Sequence, residues 1–170
     1  MSIKIYKDKI EWDDQTISVT GDGLEFDAEL FAPEFLVLPS PPMSGTVSGY
    51  TSGGSPTSTT IDKFPFASDA NATDVGDLTQ ARRQSTGQSS TDNGYTSGGD
   101  VPPRVNTIDK FPFATDANAT DVGDLTQARN NLAGQSSETD GYASGGYAAP
   151  RVNTIDKFPF ASDANATDVG

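Results

Sequence analysis

Apolar and polar positions alternate along the start of the chain. In SIKIYKDKIEW the apolar positions are Ile3, Ile5, Ile10 and Trp12. In TISVTGDGLEF, Ile17 and Val19 precede Gly21-Asp22-Gly23, and Leu24 and Phe26 follow it. Period-two alternation on both sides of a glycine turn predicts a hairpin. FAPEFLVL adds a short apolar segment with Phe31 and Phe35. Three or four strands within residues 1–37 make a very small core, and a module of that size buries its faces against a partner chain or a neighbouring domain. These ten residues are therefore the candidate assembly set, and residues 1–37 are expected to form a β module that assembles or anchors the protein.

Residues 38–60 read differently. LPSPPMSG and SGGSPTSTT have linker composition, because Pro sets φ, Gly and Ser loosen the chain and little is apolar. This stretch also contains the first GYTSGG. From residue 61 the pattern becomes periodic. IDKFPFATDANATDVGDLTQAR occupies 108–129, the same phrase with Ser68 for Thr115 occupies 61–82, and its first sixteen residues return, again with Ser, at 155–170. Ile61, Ile108 and Ile155 stand 47 residues apart, and the Gly-Tyr pairs at Tyr50, Tyr95 and Tyr142 are spaced by 45 and 47. A period near 47 marks one supersecondary unit that packs beside the next. Residues 61–170 are thus expected to form a repeat array with an incomplete last copy.

Four short strands are predicted in each unit. GYTSGG is the first. RVNTIDKFPF is the second, with Val105, Ile108, Phe111 and Phe113 as its apolar positions. ATDANATDVG reads as a polar turn, since Asp, Asn, Thr and Gly satisfy or permit tight backbone geometry. DLTQAR and the return to the next Gly-Tyr complete the unit. Helix is conceivable only at DLTQARNNLAG, with Asp124 as its cap. The expected class is all-β.

Composition agrees with that class. Hydrophobic residues make up 34%, charged residues 21%, and Gly and Pro together supply 28 positions. The net charge of −13 is spread along the chain, with three Lys against nine acids in residues 1–40 and eight basic against fifteen acidic residues thereafter. So acidic a chain repels phosphate backbones, so no nucleic-acid partner is expected. There is no cysteine and no histidine. Disulfides, thiolate metal sites and the usual general base are thereby excluded. Charges scattered through MSIKIYKDKIEW do not suit a signal peptide, and no apolar run is long enough to cross a bilayer.

Sequence motifs for catalysis are missing as well: no GxSxG, no HExxH, no Gly-rich loop followed by Lys. The strongest candidate site is DANATDVGD. Asp69, Asn71, Thr73, Asp74 and Asp77 in one copy match Asp116, Asn118, Thr120, Asp121 and Asp124 in the next. Oxygen donors at alternate positions of a tight loop suit calcium. The competing account has the same acids and amides capping turns. Tyr50, Tyr95 and Tyr142 are candidates for stacking on sugar rings, against a plain packing role.

Two resemblances sharpen these expectations. The aromatic-diglycine word (Tyr95 with Gly98 and Gly99), Asp109 and Phe111 in a following strand, and Arg129 at the end of LTQAR resemble the blades of kelch-like propellers, over residues 49–170. The resemblance implies four-stranded blades; the array lacks the family's Trp, and two and a half units imply either further repeats or closure by several chains. Separately, the phrases IDKFPFA-DANATDVGDLT-AR and GYTSGG look like those of tail-fibre and appendage proteins of tailed phages, especially marine ones. That resemblance implies a virion structural protein, made in the host cytoplasm and anchored by its N-terminus. It further implies a homo-oligomer, most simply a trimer, whose partners are tail or capsid proteins and host surface glycans. A carbohydrate-binding host-recognition module and a capsid decoration protein are the alternatives.

Overall fold

The computed structural model describes residues 47–170 in full and, before them, the backbone of four strands. The protein is all-β, and there is no helix among the described residues. The chain divides into two compact units, Met1–Pro41 and Pro42–Gly170.

In the first unit β1 (Ile3–Ile5), β2 (Lys9–Trp12), β3 (Gln15–Thr20) and β4 (Gly23–Phe26) form an antiparallel meander in chain order. The register sets Ile5, Ile10, Ile17 and Phe26 in one row across all four strands, with Ile3 opposite Trp12 and Val19 opposite Leu24. Eight of the ten assembly candidates therefore occupy strand positions of one parity, which a sheet requires if one face is to be apolar. Phe31 and Phe35 lie outside the described residues.

The second unit is a series of three sheets. β5 (Ser48–Ser52), β6 (Ser58–Pro65) and β7 (Thr73–Arg82) form the first. β8 (Thr86–Ser89), β9 (Asn93–Ser97), β10 (Thr107–Pro112) and β11 (Thr120–Asp124) form the second. β12 (Ala133–Ser136), β13 (Asp140–Ser144), β14 (Ile155–Pro159) and β15 (Thr167–Asp168) form the third. All pairs are antiparallel, and neighbours in sequence are neighbours in space. Each sheet is one repeat.

Three details differ from the sequence reading. The segment read as linker already contains β5 and the start of β6, so the first repeat begins before residue 61. The polar turn is shorter than ATDANATDVG, because TDVG belongs to β7 and β11 and pairs back onto β6 and β10. DLTQARNNLAG is not helical; its LTQAR portion is drawn out along the following repeat by hydrogen bonds to that repeat's aspartate.

The apolar clusters lie between sheets. Ile61 and Leu78 of the first repeat meet Phe111 and Ala119 of the second. Tyr95, Ile108 and Leu125 of the second meet Ala143, Phe158 and Ala166 of the third. The alternation in TIDKFP explains this arrangement. Ile108 and Lys110 reach forward to the next repeat, whereas Asp109 and Phe111 reach back to the previous one. A strand covered on both faces has no solvent side, so its residues do not sort into apolar-in and polar-out.

Candidate functional site

Of the residues singled out from the sequence, Tyr50, Tyr95, Asp77, Asp116, Asn118 and Asp124 meet at the two junctions between repeats, and Asp69, Asn71, Thr73, Thr120 and the Tyr142 ring do not. At each junction LTQAR of one repeat grips the aspartate of the next repeat's IDKFPF. The Thr79 backbone N–H donates to Asp109 Oδ2 at 2.9 Å and its hydroxyl donates to Oδ1 at 2.7 Å. Arg82 donates to the same carboxylate and to the carbonyls of Thr96 and Thr107. Gln80 donates to the Thr107 hydroxyl at 3.1 Å. The second junction repeats most of these contacts, with Arg129 donating to the Ala143 carbonyl at 2.9 Å. Thr126 donates to Asp156 by N–H (2.9 Å) and hydroxyl (2.6 Å), Gln127 to Thr154 at 3.1 Å, and Arg129 pairs with Asp156 at 2.9 Å. Arg82, Arg129, Asp109 and Asp156 are all fully buried. Burial pushes the Arg82 guanidinium below its usual pKa, and Asp109 opposes that shift. A buried charge of either sign is tolerable only with its partner in place.

The DANAT loop supplies the second set of contacts. Asn118 Oδ1 accepts from the Asp77 backbone N–H, and Asn165 Oδ1 from that of Asp124, both at 3.0 Å. Ala119 and Ala166 then donate their own N–H groups to the Asp77 and Asp124 carbonyls at 2.8 Å. The loop thus adds a short piece of ladder to the preceding repeat. Gly76 and Gly123 permit it, because a Cβ on either would collide with the carbonyl of Ala117 or Ala164. At the rim Lys63 reaches Asp116 at 3.2 Å, and Lys110 reaches Asp163.

The aromatic residues complete the junction. Tyr50 stacks on Phe113 (4.8 Å between centroids, 24°) and leans on Phe111; Tyr95 stacks on Phe160 (4.9 Å, 25°) and leans on Phe158. The glycine before each tyrosine makes room for a ring. Phe64, Phe111 and Phe158 lie where a Cβ on Gly49, Gly94 and Gly141 would be. Tyr95 is 3% exposed, so its ring is closed to a sugar, and burial raises its phenol pKa. Tyr50 and Tyr142 are half-buried.

The proposed calcium loop is not assembled. Among the described residues no three acidic side chains are grouped to hold a metal. Asp69 and Asn71 are exposed on their loop, Thr73 and Thr120 are exposed in strands, and Asp116 faces Lys63. Asp77 accepts from the Thr59 hydroxyl, while Asp74 and Asp121 each cap an N–H two residues on. Turn capping and bridging between repeats account for the oxygens of Asp74, Asp77, Asp116, Asn118 and Asp121. The buried arginine–aspartate pairs were not found in the sequence as pairs. Their signal was present: a charged residue inside an apolar strand word, repeated unchanged 47 residues later.

No protein-family model matches the chain, and no curated protein matches it either.

Proposed function

We propose that the protein is a non-enzymatic structural component of a tailed-phage particle, a tail fibre or appendage held by its N-terminal β module. One observation carries the structural part of this reading. The polar and aromatic residues that distinguish the repeated phrase, namely Asp109, Arg82, Thr79, Asn118, Lys63 and Tyr50, are engaged in holding one repeat to the next. A phrase whose side chains serve the junction is a building element. The likeness of its words to phage appendage repeats supplies the setting. Homo-oligomerisation, most simply as a trimer, goes with the fibre reading. The test is to raise antibodies against residues 47–170 and apply them to particles purified from an infected culture. Gold labelling at the tail or its appendages is expected. A chain abundant in the infected lysate but absent from purified particles overturns the reading.

Carbohydrate binding is favoured at one place. Tyr50, Phe113, Lys63 and Asp92 line a groove of about 360 Å³ beside the first junction. An aromatic wall with polar groups at its edge is suited to a sugar face. A glycan array probed with the whole chain and with Tyr50→Ala decides this reading separately.

A further inference from the structure

We infer that the 47-residue copy is an interchangeable layer. A whole further copy can enter at the middle of the array and be held on both faces by the existing contacts, so copy number sets how far the array extends. This deepens the structural reading above and rests on it only for what that length is used for.

The two internal junctions are built at the same offsets along the chain. Thr79 and Thr126 each donate to an aspartate 30 residues on, Asp109 and Asp156. Gln80 and Gln127 each donate to a threonine 27 residues on. The Asp77 and Asp124 N–H groups donate to an asparagine 41 residues on, and Lys63 and Lys110 to an aspartate 53 residues on. A junction is thus made by one word of a copy and a fixed word of the next, and the phrase that supplies them returns every 47 residues. Contacts that differ between the junctions lie outside that phrase. Arg83, itself half-buried, pairs with Asp100 beside the first junction, and Arg104 stacks on Tyr147 beside the second. Differences in length also fall outside it. Seven residues separate Gly54 from Ile61, against nine for Gly99 to Ile108 and nine for Gly146 to Ile155.

Residues 61–107 repeated once more between Thr107 and Ile108 meet matching words on either side, since residues 61–82 equal 108–129 but for Ser68. The inserted Asp62 comes under Arg82, as Asp109 does in the unaltered chain, and the inserted Arg82 comes over Asp109. The tightest point is also satisfied. A Cβ at Gly134 would run into the Gly87 carbonyl, and the residue that the insert brings to that place is its own Gly87. Arg104 then faces the inserted Asp100, an opposite charge, in place of Tyr147. With stability close to a sum over repeats and junctions, the longer chain gains one junction and loses none.

Cross-linking tests this, because the chain has no cysteine of its own. Tyr50 and Phe113 stack at 4.8 Å, so Tyr50→Cys with Phe113→Cys in the full chain should be closed within single molecules by a short bis-maleimide. In the chain with the insert that pair should no longer close, and Tyr50→Cys should close instead with Phe66→Cys of the inserted copy. Without cysteines, the longer chain should melt in one transition at or above that of the unaltered chain. An insert of residues 61–100 lacks Val105, Asn106 and Thr107, to which Arg129, Leu125 and Gln80 donate, and should melt below it. Three results overturn the inference. One is the Tyr50→Cys and Phe113→Cys pair still closing in the longer chain, the mark of a looped-out insert. The others are a lowered or split melt of the longer chain, and equal melts for the two inserts. None of them bears on whether antibodies find the protein on particles.

Discussion

Ile108 and Ile155 hold the same place in their repeats and have opposite surroundings. Ile108 is fully buried under Ala143, Phe158 and Ala166 of the next sheet, and Ile155, with no such sheet over it among the described residues, is 37% exposed. Aspartates show the converse, with Asp109 and Asp156 sealed by the preceding repeat and Asp62 half-open. A residue's energetic weight in this protein is therefore a property of the junction it enters. One sheet has two faces to bury and no layer of its own to bury them against. Stability is then close to a sum of junction terms, as in other repeat architectures.

The largest way to break this symmetry is at the buried ion pair. Asp109→Ala leaves the Arg82 guanidinium uncompensated, which costs about 3–5 kcal/mol. Asp62→Ala, at the same repeat position but on an open face, should stay within about 0.5 kcal/mol. Urea midpoints of the two variants check the contrast. Replacing both partners, as Arg82→Met with Asp109→Leu, should recover most of the loss, since an apolar pair of similar volume is often neutral in such a place.

The isoleucines sharpen the comparison without charge. Ile108→Ala removes atoms from the second junction's core and should cost about 2–5 kcal/mol. Ile155→Ala should cost under about 1 kcal/mol, because its atoms are partly in water already. Equal shifts in the melting transition would mean that the core belongs to each repeat and not to the junction.

Glycines give a smaller contrast. A Cβ on Gly134 would run into the Gly87 carbonyl and the Thr86 hydroxyl of the preceding sheet, while one on Gly87 meets nothing nearer than 3.9 Å. Gly134→Ala should therefore destabilise by about 1–3 kcal/mol. Gly87→Ala should be neutral within about 0.5 kcal/mol. Thermal melts of the two variants check this.

The period and the strand content were legible because they are patterns within one copy. The 47-residue spacing, the GY-diglycine strand and the IDKFPF strand need only alternation and turn residues to be seen. What stayed hidden was the role of each letter, since that depends on a neighbour 14 to 54 residues away. Asp109 inside an apolar strand reads as an anomaly until Arg82 is placed over it from the previous sheet. Arg129 looks like a turn arginine until its carboxylate is found in the next copy. Likewise the DANAT oxygens resemble metal donors when read along one loop, but the Asn118 oxygen caps the backbone N–H of Asp77 in the preceding repeat and Asp116 accepts from Lys63. Period-two reasoning assigns one buried face to a strand, and β10 has two.

The smallest effect expected is at the solvent-facing rim. The hydrogen bond from Lys63 to Asp116 raises the lysine pKa above its ordinary value, with smaller contributions from the charges of Tyr50 and Asp116. A raised lysine pKa means that the folded chain holds its proton more tightly than the unfolded chain. The stability it contributes is fully present below the unfolded pKa, about 10.4, and is lost as pH rises through the higher folded value. Exposure and salt keep such a pair weak. Heteronuclear NMR titration of the Lys63 side chain should therefore show an upward-shifted midpoint, which Asp116→Asn lowers toward that of a free lysine. A midpoint indifferent to Asp116→Asn would remove the lysine–aspartate rim from the list of junction contacts and leave the ion pair, the ladder and the rings to hold the repeats together.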